Sequence, residues 1–159
     1  MDGENPAQWF VLTTRYLRAS RVALEMREEG FECFVPPKIT NMIFVHSTRQ
    51  SIDFFLTYRE TGQQLTYMRS RRDLQPIVVP DRDMHYFILV CEGCDMPIIM
   101  QECPVVKLGD RVRVISGPLA GVEGNVVRMR KSKRVLVAIG ELVWVATTYI
   151  PTEMLKVIG

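Results

Sequence analysis

Histidine is nearly absent from this chain of 159 residues, with only His46 and His85 present. Proton transfer by imidazole is thus confined to two positions. His85 follows Asp81 and Asp83, a charge pattern that a helix start explains without chemistry. Also missing are a Walker loop, a nucleophile elbow, a His-Glu-x-x-His pair and a dinucleotide fingerprint. These absences point away from an enzyme and from any cofactor. No apolar run approaches the roughly 20 residues that a bilayer demands, so no membrane contact is expected. The stretch Met1 to Gln8 is acidic and polar, unlike a signal or transit peptide, and the expected location is cytoplasmic.

Cysteine is scarce, and its spacing is uninformative. Cys33, Cys91, Cys94 and Cys103 are the four. In the cytoplasm a structural disulfide is disfavoured. Cys91, Cys94, Cys103 and His85 could supply four zinc ligands, but the second half of that set lacks the paired spacing of zinc motifs. Cys91 also falls on an apolar helical stripe, so no metal is expected.

Charge is balanced overall at +2, yet unevenly spread. Residues 1–104 hold 11 Lys+Arg against 14 Asp+Glu, a net of −3, whereas residues 105–159 hold 9 against 4, a net of +5. Two units with different partners follow, the basic one suited to acidic protein or RNA. Hydrophobic residues at 47% argue that both units are folded.

In the first unit, Trp9-Phe10-Val11-Leu12 reads as a buried strand. Ala19, Val22, Ala23 and Met26 then form one helical stripe, stopped by Gly30. Strands are expected at 31–35, 42–45, 65–68 and 77–79. A second helix should open on the capping box Ser47-x-x-Gln50, turn Ile52, Phe55 and Leu56 inward and end at Gly62. A third should be capped by Asp81 and carry the stripe Met84, Phe87, Ile88, Cys91. The expected first domain, residues 1–92, is α+β: an antiparallel sheet flanked by helices. Residues 93–104 read as a linker.

From Val105 the pattern changes to five short strands broken by turns, the mark of a small closed all-β barrel over residues 105–159. Gly109-Asp110-Arg111-Val112-Arg113-Val114 leads into Gly117-Pro118-Leu119-Ala120-Gly121-Val122-Glu123-Gly124. Gly117 and Pro118 suit a tight bend, and Gly121 and Gly124 let the chain fold back on the sheet without a Cβ.

This run resembles a KOW motif, found in NusG-type transcription factors and in several ribosomal proteins, and implies an SH3-like barrel. The first domain resembles the NusG N-terminal domain through Trp9-Phe10-Val11-Leu12, Phe34-Val35-Pro36, Ile43-Phe44-Val45 and Ile77-Val78-Val79-Pro80. The connection from Pro37 to Met42 is shorter than the basic hairpin usual there, which looks like a specialised, RfaH-like paralogue.

The resemblance implies an elongation and antitermination factor. Its first domain would bind bacterial RNA polymerase, placing Val11, Thr13, Met42, Phe44 and Tyr67 on the clamp and Thr48, Arg49 and Ser51 at the gate loop. Phe44 would then be exposed. The KOW domain would recruit a ribosomal protein or Rho, with the strand edge at Val143, Trp144 and Val145 as a candidate surface. The cluster Arg69, Arg71, Arg72 is a candidate for non-template DNA, and the protein is expected to act as a monomer. The alternative is a ribosome-associated RNA-binding KOW protein, using Arg128, Arg130, Lys131, Lys133 and Arg134 on phosphates.

Overall fold

The computed structural model describes residues 6–140 and 142–159. Residues 1–5 of the polar N-terminal stretch lie outside the described residues. The chain divides into two compact units, Met1–Asp81 and Arg82–Gly159, and mixes helices with two antiparallel sheets.

The first unit is built on β1 (Gln8–Thr14), whose apolar run is buried from Trp9 to Leu12. One edge of β1 pairs with β3 (Met42–Ser47), which pairs in turn with β2 (Glu32–Phe34). Its other edge is shared by β4 (Leu65–Tyr67) and the two-residue β5 (Val78–Val79). Helix α1 (Ala19–Glu28) buries Ala19, Val22, Ala23 and Met26, the stripe set by its sequence. Gly30 follows at φ +94°, where a Cβ would be strained.

Helix α2 (Arg49–Tyr58) buries Ile52 and Phe55. Phe10, Leu12, Ile43 and Val45 turn to these helices, and Phe31 meets Phe55 edge-on at 5.6 Å. Two expectations for α2 change. The cap is Thr48, not Ser47: its Oγ1 accepts from the Ser51 N–H at 3.2 Å. Gly62 does not end the helix, which stops at Tyr58; it lies buried in a 3-10 turn (Thr61–Gln64) against the Phe55 carbonyl, with no room for a Cβ.

Helix α3 (Asp81–Gly93) opens at the unit boundary, and all but its first residue belongs to the second unit. Its buried residues are Met84, Tyr86, Phe87 and Val90, so the inward face is rotated from the expected stripe and leaves Ile88 and Cys91 half-buried. Asp81 is the first helical residue, not a flanking cap. Beyond it, six strands follow the order β11-β7-β8-β9-β10-β6. They are β6 (Ile98–Met100), β7 (Arg111–Val114), β8 (Glu123–Met129), β9 (Ser132–Ile139), β10 (Val143–Ala146) and β11 (Leu155–Val157).

The alternation of β7 is clean, with Val112 and Val114 buried and Arg111 and Arg113 exposed. Among the described residues no pairing joins β11 to β6, so the expected closed barrel is not what the ladders form. The expected linker at 93–104 contains β6, which takes the outer edge of β10 through Trp144↔Met100 and Val145↔Ile99. Helix α3, expected in the first domain, groups with the second unit. Its polar residues explain that grouping: Arg82 donates to Glu123 at 2.7 Å, and Asp83 accepts the Gly140 N–H at 3.1 Å.

Candidate functional site

In the first unit the register sorts the expected polymerase-contact residues. Val11 stands opposite Phe44, Thr13 opposite Met42, and Thr13 again opposite Thr66. Directly opposed residues share a face, so Val11, Thr13, Met42 and Phe44 lie together on the side away from α1 and α2. Tyr67 does not. It pairs with Leu12 and therefore faces the helices, where its ring meets Phe10 at 5.8 Å and its hydroxyl donates to Asp53 at 2.6 Å.

Phe44 is fully buried, as is Val11, and Met42 is 3% exposed. This overturns the expected exposure of Phe44. The residue sits on an inner strand, with Val11 opposite on β1 and Phe34 opposite on β2, the Phe34 ring 6.4 Å away. The accessible parts of the face are its two ends. At one, Thr13 and Thr66 join hydroxyls at 2.9 Å beside an open concavity lined by Arg15, Tyr16, Gln63 and Gln64. At the other, His46 and Glu32 meet at 3.1 Å and Trp9 packs on the imidazole at 5.1 Å. Trp9, His46, Glu32 and Thr66 were missed as members of this face. Counting in twos from Phe44 and across its partner strands would have found them.

The expected gate-loop group is mostly structural. Thr48 and Ser51 satisfy the first turn of α2, and their hydroxyls bond at 3.0 Å. Arg49 reaches Asp53 at 3.7 Å and lies over the Tyr67 ring at 5.3 Å. In the cluster at 69–72, Arg69 donates to the Leu74 carbonyl at 2.9 Å, while Arg71 and Arg72 are exposed.

In the second unit the glycine-rich run folds as its composition requires. Gly117 takes φ +85° and Gly121 φ +98°, both strained for a side chain. The Ala120 N–H donates to the Gly117 carbonyl at 3.1 Å, closing the bend around Pro118, and the Gly121 N–H returns to Val114 at 2.8 Å. Gly124 has ordinary φ but lies against the Leu136 carbonyl, leaving no space for a Cβ. Next to it Glu123 holds two guanidinium groups, Arg82 at 2.7 Å and Arg113 at 3.0 Å. The Arg113 hydrogen bond, then the charges of Arg82, Arg113 and Arg111, hold the Glu123 carboxyl below the usual range against the opposing effect of burial.

The basic residues of the β8–β9 hairpin divide. Arg128, Arg130 and Lys131 are exposed, and Lys133 is half-buried with its Nζ 2.9 Å from the Thr152 hydroxyl. Arg134 is committed inside, donating to the carbonyls of Met129 at 3.2 Å and Thr147 at 2.9 Å. The strand edge expected as a recruitment surface is not free: β6 occupies it, Val143 and Val145 are fully buried, and Trp144 packs in a small apolar cluster with Ile98, Val127, Leu136 and Ala146.

Among the described residues no group of three or more His, Cys, Asp or Glu is placed to hold a metal ion. Burial, followed by Cys94 and Glu92, pushes the Cys91 thiol up to about 12. Nor is any described helix long and apolar enough to cross a membrane. No protein-family model matches the chain, and no curated protein matches it.

Proposed function

We propose that this chain is a NusG-type transcription elongation and antitermination factor of specialised, RfaH-like character. It binds bacterial RNA polymerase through its first unit and recruits a ribosomal protein or Rho through a KOW domain. The observation that carries this reading is the Gly117-to-Gly124 loop. Two of its glycines sit at positive φ and a third is pressed on a carbonyl, so each glycine of the KOW-like spacing has a use a side chain would defeat. The strands around that loop would form, on this reading, an SH3-like barrel left open between β11 and β6.

In the first unit, the accessible ends of the sheet face, Thr13 with Thr66 at one and His46 with Glu32 at the other, would carry the docking, while Val11, Met42 and Phe44 form its buried middle. Tyr67 and Arg49 form a separate pair on the helix side and would approach the gate loop, with Arg71 and Arg72 near non-template DNA. Binding two walls of the polymerase biases an open–closed equilibrium towards closed, so the action needs no catalytic group or cofactor. The factor works as a cytoplasmic monomer.

The test is co-elution of the full chain with bacterial RNA polymerase core on size exclusion with RNase present, for wild type and Thr66→Arg. Thr66 is exposed at the rim of the docking face, so the substitution leaves the core intact. Loss of co-elution in the variant, with unchanged circular dichroism, supports the reading. Failure of the wild type to co-elute, or an undisturbed variant, rejects docking through that face.

A further inference from the structure

The tip of the β8–β9 hairpin is built against its own stability. The register Met129↔Ser132 leaves a two-residue turn, Arg130-Lys131. Both residues adopt positive φ, 52° and 64°, the geometry of a type I′ turn that Asn-Gly fills without strain. One step back, Arg128 stands directly opposite Lys133, a like-charge pair that disfavours the hairpin. No Asp or Glu occurs between Gly124 and Gly140 to offset these charges. The tip is nevertheless held firmly, since the Met129 carbonyl accepts both Arg134 Nε at 3.2 Å and the Ser132 hydroxyl at 3.4 Å.

Unfavourable residues on a rigid, exposed tip are the mark of a site maintained for binding. We infer that Arg128, Arg130, Lys131 and Lys133, joined by Lys107, form a contact site for the phosphates of single-stranded nucleic acid. Lys107, Arg128 and Lys133 line one open concavity with Gly109, Val126 and Val127, so the cations are arranged around a groove. The Ile150 N–H donates to the Lys133 carbonyl at 3.3 Å, placing Tyr149, 60% exposed, one residue from the basic strand. Cations around a groove, with an exposed tyrosine one residue from their strand, suit a splayed strand, whose phosphates pair while a base stacks. Arg134 is excluded from the site by its two internal hydrogen bonds. The inference does not depend on polymerase binding.

The experiment is fluorescence anisotropy of the full chain with labelled oligouridylate, oligothymidylate and a DNA duplex over a salt series. The double variant Arg130→Asn/Lys131→Gly removes two charges while installing the preferred turn. It should bind single strands about tenfold more weakly, with a salt slope smaller by about 1.4, and should melt no lower than wild type. Arg128→Gln, which leaves the turn untouched, should reduce the slope by about 0.7 and carries the test if the double variant misfolds. Preference for oligouridylate identifies RNA as the source of the strand, and preference for oligothymidylate identifies DNA.

Three outcomes overturn the proposal: no binding of either strand at low salt, duplex bound more tightly than both, or unchanged affinity in the variants. Displacement by polyglutamate as efficient as by oligonucleotide overturns it too, in favour of an acidic protein partner.

Discussion

The Tyr67 hydroxyl donates to the Asp53 carboxylate at 2.6 Å, tying β4 to α2. Burial first, and then this carboxylate, drive the phenol well above its ordinary pKa of 10.0. A raised pKa on an acid that is neutral when protonated stabilises the fold fully below pH about 10 and loses that contribution as pH climbs further. Tyr67→Phe should cost about 0.5–1.5 kcal/mol at neutral pH. It should also flatten the alkaline fall in stability, read by urea denaturation at a series of pH values.

Glu123 gives the opposite pH dependence. Its folded pKa lies below the ordinary 4.5, so its contribution is complete above that pH and disappears as pH falls through the folded value. Glu123→Gln leaves Arg82 and Arg113 without their shared acceptor. Its melting temperature should lie below wild type at neutral pH, and the gap should close in acid.

Gly124 and Gly121 separate space from backbone strain. A Cβ at Gly124 would collide with the Leu136 carbonyl, whereas one at Gly121 meets open space at φ +98°. Gly124→Ala should cost about 1–3 kcal/mol or more through forced backbone movement. Gly121→Ala should cost about 1–2 kcal/mol through strain alone. Chemical denaturation of the two variants gives the order.

Thiol labelling should follow environment. Cys103 is exposed, Cys94 is buried, and the half-buried Cys91 thiol is pushed up from 9.0 to about 12. The thiolate is the nucleophile, so iodoacetamide near pH 8 should label Cys103 first and leave Cys91 largely unmodified in the native protein. Peptide mass spectrometry against reaction time measures this. Labelling of Cys91 as fast as Cys103 contradicts the assignment.

Local periodicity made much of this fold legible. The stripe Ala19-Val22-Ala23-Met26 and the alternation of Arg111 to Val114 each need only one element, and both are present as read. What depends on partners was not legible. Tyr67 and Phe44 are both aromatic strand residues, and only the pairing of Tyr67 with Leu12 and of Phe44 with Val11 separates their faces. Ile98–Met100 lacks turn or period signals and becomes a strand because β10 offers it an edge. The split within the basic hairpin was hidden for the same reason, since Arg134 finds its acceptors at Met129 and Thr147, the latter beyond the hairpin.

The arrangement around β1 also has consequences during synthesis. The strand is made before the other elements of the first unit, yet Trp9 and Phe10 pair with Val79 and Val78, near the end of that unit. Until those residues emerge, part of one edge of an apolar strand has no partner and is open to pairing with another chain. Slowed translation before Val78, or a nonsense product ending short of it, should therefore yield aggregation or chaperone capture in place of a shortened active fragment. Loss of these two residues would then silence the gene product through misassembly, as thoroughly as loss of a binding surface.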